Sequence, residues 1–204
     1  MMFKELNKKG KTNKARNTMR RYIFLFAMSS LFVIGCSEQS LVNSNPGSAQ
    51  NDYKLIKLPT ASGLQINNIY SDSKSISGSA GGSLSIQGSY SGGPFGTVTV
   101  NSTLVFRAGS FSGTKTISMT ADDEYCASTF LPGMSFTKSG IYNITYTGVD
   151  LTGINPSTVK FAYLKQDGTL EYPFHEGITV NFATGKISVK NAQLNHFSRY
   201  GFVN

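Results

Sequence analysis

The chain has 204 residues, with 19 Lys and Arg against 11 Asp and Glu, and a formal net charge of +8. Eight of those basic residues and only one acidic residue fall in residues 1–35, which leaves the rest of the chain with 11 basic and 10 acidic side chains. A nucleic-acid surface needs its Lys and Arg clustered on the working domain, so the charge excludes nucleic acid as an expected partner.

The first element is an apolar run, Tyr22–Ile34, set between Met19-Arg20-Arg21 and Gly35-Cys36. As a helix it would reach roughly 20 Å at ~1.5 Å per residue, short of a ~30 Å bilayer core. A basic segment, a short apolar run and a small residue before the cut define a secretory signal. Residues 19–35 alone make a compact signal of this kind, with Met19 as an alternative start. Arg20-Arg21 raises twin-arginine export, but the strongly apolar run favours general secretion.

Val33-Ile34-Gly35-Cys36 resembles the lipobox of bacterial lipoprotein precursors: an aliphatic residue, a tolerant position, a small residue and a cysteine. The resemblance implies a diacylglyceryl thioether on Cys36, cleavage between Gly35 and Cys36, and acylation of the new amine. Each buried methylene contributes about 0.8 kcal/mol, so two or three chains hold a protein stably on a membrane. The membrane, reached through the lipid on Cys36, is the expected partner, and the bacterial cell envelope the expected location. Ser37 rather than aspartate follows the cysteine, which favours the outer membrane in sorting systems of the enterobacterial type. Lipidation of Cys36 leaves Cys126 without a disulfide partner, and Glu-Tyr-Cys-Ala reads as a small buried residue of a strand.

Residues 36–73 are polar and weakly patterned, broken by Asn45-Pro46-Gly47-Ser48, and read as a lipidated N-terminus and flexible tether. Leu55-Ile56 and Leu64-Gln65-Ile66 could each add a short strand. From residue 74 the pattern alternates. Ser83–Tyr90 is a strand candidate, with Ile76 ahead of it across Ala80-Gly81-Gly82. Thr97–Val100, Thr103–Phe106, Lys115–Thr120, Ile141–Tyr146, Val159–Tyr163 and Ile178–Phe182 follow. Ala183-Thr184-Gly185-Lys186 reads as a hairpin turn into Ile187–Lys190. No stretch after residue 36 keeps a 3.6-residue apolar period over three turns. The expected fold is all-β: a single antiparallel β-sandwich over residues 74–204.

Five stretches of this region resemble, in their order, the Zu-five domain, a β-sandwich module. They are Gly81-Gly82, Leu104–Phe111, Thr116–Met119, Phe130-Leu131-Pro132-Gly133-Met134-Ser135-Phe136-Thr137-Lys138-Ser139, and the closing His196-Phe197-Ser198-Arg199-Tyr200. Phe106-Arg107-Ala108 departs from the pattern, which commonly has proline before the small residues. The resemblance implies a module for binding or structural interaction, with an unknown protein or surface as its partner. In some relatives the His-Phe-Ser segment cleaves itself. Carried over, Ser198 would attack the Phe197 carbonyl with help from His196. On a closing strand His196 and Ser198 share a face with Leu194, Tyr200 and Phe202, and a hydroxyl nucleophile needs such a base. The alternative is that His196 and Ser198 satisfy hydrogen bonds of a closing strand.

The remaining motifs carry less chemistry. Asp122-Asp123-Glu124 lacks the ligand spacing of a calcium loop and reads as a solvated acidic loop. His175-Glu176 has no second histidine at metal-ligand spacing. No phosphate-cradling glycine loop and no Gly-x-Ser-x-Gly elbow is present. Neither a metal nor a cofactor is expected, nor an enzyme acting on external substrates.

Overall fold

Alternation of apolar and polar side chains sets the strands of the computed structural model, which describes residues 53–62 and 70–204. The apolar run, Gly35 and Cys36 lie outside the described residues. Eleven strands occur among the described residues. They are β1 (Ser71–Ser77), β2 (Gly82–Ser91), β3 (Thr97–Phe106), β4 (Thr114–Ala121), β5 (Ala127–Leu131) and β6 (Ser135–Thr147), followed by β7 (Lys160–Leu164), β8 (Leu170–Glu171), β9 (Gly177–Asn181), β10 (Lys186–His196) and β11 (Arg199–Val203). Two antiparallel sheets pack together as a β-sandwich. One has the order β1-β4-β5-β11-β7-β8 and the other β2-β3-β6-β10-β9.

The core forms from the inward halves of these patterns. In β3, Val98, Val100, Leu104 and Phe106 are buried while their neighbours are more exposed. In β6, Tyr142, Ile144 and Tyr146 do the same, and β10 supplies Ile187, Val189, Ala192 and Leu194. Across the interior stand Ile117 and Met119 of β4, Phe130 of β5, Phe161 of β7, and Tyr200 and Phe202 of β11. Each Val, Leu, Ile, Met and Phe side chain among them contributes about 1.5–3 kcal/mol by leaving water. The β10 pattern slips by one residue at Asn191, whose φ of 52° marks a bulge where the pairing with β6 shifts register. The Asn191 N–H donates to the Asn143 side-chain carbonyl at 2.9 Å, which holds the kink.

The order of the elements departs from the expected one at the carboxyl end. His196-Phe197-Ser198-Arg199-Tyr200 is not one closing strand. β10 ends at His196 in the five-stranded sheet, and β11 begins at Arg199 in the six-stranded sheet. Phe197-Ser198 is the corner where the chain crosses between sheets. The face expected to hold Leu194, His196, Ser198, Tyr200 and Phe202 together therefore breaks in the middle. Phe197 is the residue that turns inward, 4 % exposed, while His196 and Ser198 are half-buried. A period-2 pattern cannot register this, because a corner resets which side of the chain faces the core.

Residues 53–62, within the expected tether, lie against the sandwich. Lys54 and Asn204 exchange backbone hydrogen bonds at 3.0 and 2.9 Å, and the Ile56 N–H donates to the Phe202 carbonyl at 3.0 Å. The Cys126 N–H donates to the Ile56 carbonyl at 2.8 Å. Ile56 is 2 % exposed and belongs to the core. This segment slots in beside β11, where Gly201 leaves room for Leu55.

Candidate functional site

The histidine corner is held from both sides. The Phe197 N–H donates to the Met134 carbonyl at 2.7 Å, and the Phe130 N–H donates to the Ser198 carbonyl at 2.8 Å. The Phe197 ring meets Phe136 at 4.7 Å, Phe130 at 5.2 Å and Phe106 at 5.7 Å between centroids. Aromatic packing of this kind adds to the area term, so the corner is a strong structural joint.

His196 points the other way. Its Nε2 lies 3.2 Å from Glu171 Oε1, and its Nδ1 3.3 Å from the Tyr200 hydroxyl. The same hydroxyl donates to the His196 carbonyl at 2.8 Å, and the Tyr163 ring packs 4.3 Å from the imidazole. Burial, and then the Glu171 carboxylate, push the Tyr200 phenol well above its ordinary pKa, so it stays a proton donor. Glu171 also faces Lys165 at 3.6 Å. Glu171 and Tyr200 flank the two imidazole nitrogens, and no hydrogen bond joins the ring to the Ser198 hydroxyl. The structure brings His196 and Phe197-Ser198 to one corner without making the histidine the serine's base.

The other residues singled out from the sequence are structural in their contacts. Cys126 is fully buried and free, and burial raises its thiol far above the ordinary range, which makes it inert. Asp122 Oδ2 accepts from Arg199 at 2.7 Å, while Oδ1 accepts from the N–H groups of Glu124 and Tyr125 at 3.0 and 2.9 Å. Asp122 therefore folds the acidic loop and ties it to β11. His175 sits in the crossover from β8 to β9, with Nδ1 buried and without a protein partner. Among the described residues no three His, Cys, Asp or Glu side chains gather as a metal site.

A different surface stands out, and the sequence reading missed it. Tyr172 and Phe174 in the β8–β9 crossover are 59 % and 66 % exposed, and Phe182 just after β9 is 49 % exposed. Phe182 shares a hollow of about 250 Å³ with Phe95 and Leu151. Between these aromatics runs β9, the edge of the five-stranded sheet, paired only with β10 among the described residues. The one sequence signal was Tyr172-Pro173-Phe174, a run of large apolar residues that fits no strand period.

The edge on the opposite margin of that sheet is guarded. The Ser85 N–H of β2 donates to the Asp72 carboxylate at 2.9 Å, and Lys74 Nζ donates to the Ser83 carbonyl at 3.2 Å. The Tyr70 hydroxyl donates to the Ser89 carbonyl, its ring lying where a Gly88 side chain would be. Three outer backbone groups of β2 are thereby occupied by side chains from β1 and the residue before it. Beside the N-terminal segment runs an open groove of about 950 Å³, lined by Tyr53, Lys54, Lys57, Tyr125, Asp150 and Asn204. The Thr152 hydroxyl and N–H hold the Asp150 carboxyl below its usual range.

No protein-family model, no curated protein and no solved structure matches the chain.

Proposed function

We propose that the chain is an exported lipoprotein of the bacterial cell envelope, anchored through Cys36, whose Zu-five-like β-sandwich is a module for binding or structural interaction. The anchor rests on Val33-Ile34-Gly35-Cys36 behind the apolar run. The observation that supports binding is the β9 edge, unpaired among the described residues, with Tyr172, Phe174 and Phe182 exposed at its two ends. Large aromatics left in water beside an open edge are enriched where proteins meet. Self-processing between Phe197 and Ser198 is the competing reading, and engagement of His196 by Glu171 and Tyr200 counts against it.

Two measurements on cells test the proposal. Metabolic labelling with palmitate should mark the protein and vanish with Cys36→Ala; unlabelled protein, or label that survives the substitution, overturns the anchor. A photo-activated cross-linker at Phe174 should yield a defined adduct in native membranes. The same cross-linker at Thr103, on the opposite part of the five-stranded sheet, should not. No defined adduct at Phe174 overturns the interaction reading.

A further inference from the structure

The open edge dictates the chemistry of what binds it. Alternate residues of an edge strand turn their N–H and C=O groups away from the sheet, and another extended chain satisfies them. Natural edges are blunted by charged side chains, proline, bulges or covering segments. β2 has such covers in Tyr70, Asp72 and Lys74. β9, Gly177-Ile178-Thr179-Val180-Asn181, contains no charge, no proline and no residue at positive φ.

Resting on the interaction-module reading, we propose that β9 pairs with β9 of a second copy, antiparallel, about a two-fold axis at Thr179. The strand is complementary to itself in this register. Ile178 faces Val180 of the second copy, Val180 faces its Ile178, and Gly177 faces its Asn181. Ile178 and Val180 already pack half-buried against the core, so their pairing extends the apolar layer of both sandwiches. Thr179, on the exposed face, meets its own equivalent. No charged residue lies within the strand, so no like charges stand opposite each other, which would destabilise the pair. Phe174 and Phe182 flank the paired strand at its two ends, at the rim of the interface. Both rings are largely exposed in the single chain. The result is an isologous interface, in which one patch serves both partners.

A five-residue edge and four aromatic rings fall short of the roughly 1,200 Å² that stable complexes bury. The pair is therefore weak in dilute solution and needs a high local concentration. Anchoring of both copies on one membrane provides it, as linkage does for any paired weak contact.

The test uses the full-length lipoprotein in its membrane, with Thr179→Cys as the probe. Cys126 is buried and Cys36 carries the lipid in the proposed state, so residue 179 is the reactive thiol. Under mild oxidation Thr179→Cys should give a disulfide-linked species of twice the monomer mass. Its yield should be at least tenfold that of Asn181→Cys, whose equivalents lie four positions out of register, and of Thr103→Cys. Equal yields at the three positions, or none at 179, overturn the proposal. An adduct of residue 179 with a different protein also overturns the second copy as occupant while leaving the interaction-module reading intact. A charge swap gives a second readout. Thr179→Lys and Thr179→Glu should each abolish membrane cross-linking at Phe174 between like copies, and co-expression of the two should restore it. Failure to restore counts against the two-fold register, and restoration excludes misfolding as the cause of the loss.

Discussion

Phe197 donates its backbone N–H to the Met134 carbonyl at 2.7 Å, tying the β10–β11 corner to the turn ahead of β6. Its ring fills the space among Phe106, Phe130 and Phe136. Phe197→Ala should therefore cost about 3–5 kcal/mol, the range for emptying a buried aromatic site, read as a fall in the urea midpoint. Ser198→Ala should cost under about 1 kcal/mol, because the corner uses the Ser198 carbonyl, which alanine keeps. A larger loss for serine than for phenylalanine would contradict this account of the corner.

The same corner predicts an outcome for self-processing. A serine attacks its preceding carbonyl only with a base to take its proton, and the His196 ring faces Glu171 and Tyr200 with no hydrogen bond to the Ser198 hydroxyl. Intact mass after prolonged incubation should show one species whose carboxyl end is still Asn204. Accumulation of a species lacking Ser198–Asn204, absent from Ser198→Ala, would revive the self-processing reading.

Guarding of the β2 edge predicts a separation between stability and solubility. Asp72, Lys74 and Tyr70 contact exposed backbone, where a hydrogen bond or ion pair contributes about 1 kcal/mol or less. The combined Tyr70→Phe, Asp72→Ala and Lys74→Ala variant, which keeps the ring that packs against the core, should thus keep most of its folding stability. It should nonetheless self-associate with rising concentration in light scattering, since backbone groups of Ser83, Ser85 and Ser89 on the strand edge lose their partners. A variant that unfolds outright would show that these side chains serve the core instead.

The legibility of this chain follows from what period-2 patterning measures. Where one face is buried and one wet, as in β3, the alternation Val98, Val100, Leu104, Phe106 names the inward residues without the structure. The hairpin turn at 183–186 was equally readable, since Gly185 takes a φ of 56°. The pattern fails where both faces are covered. In β11, Tyr200, Gly201, Phe202 and Val203 are all buried, because Leu55 and Ile56 lie beside them. It fails again at Phe197-Ser198, where the chain changes sheets. The open β9 edge was hidden for a different reason. Ile178 and Val180 read the same in an edge strand as in a central one, and only the sheet order separates the two.

Gly148 offers a sharp local test. Its φ is 77°, a conformation that costs an L side chain about 1–2 kcal/mol. A Cβ there would also run into the Thr97 carbonyl oxygen, with Val98 Cα only 3.1 Å away. Backbone atoms at the start of β3 cannot rotate aside. Gly148→Ala should cost at least about 2 kcal/mol in chemical denaturation. Gly153→Ala, at φ 79° with open space around the site, should cost only the conformational part. Similar losses for the two would show that steric contact contributes nothing at residue 148.

Alkaline pH tests the buried phenols. Tyr142 donates to the Ser128 hydroxyl at 2.8 Å and Tyr146 to the Ala127 carbonyl at 2.8 Å, both fully buried. Burial raises both phenols well above the ordinary value of 10.0. Below that value the folded and unfolded chains both keep these protons, so the stability they confer is complete. Above it the unfolded chain releases them and the folded chain does not, so stability falls as pH rises. Each fully buried phenol contributes a slope of about 1.4 kcal/mol per pH unit until its folded pKa is reached. Urea midpoints should change little through these groups between pH 7 and 9 and drop steeply beyond pH 10. Tyr142→Phe should lose about 1 kcal/mol at neutral pH, since Ser128 loses its donor, yet show a shallower decline above pH 10. An unchanged alkaline slope in that variant would place the alkaline sensitivity elsewhere than Tyr142, because removing a titrating group removes its share of the proton difference whatever the remaining groups do.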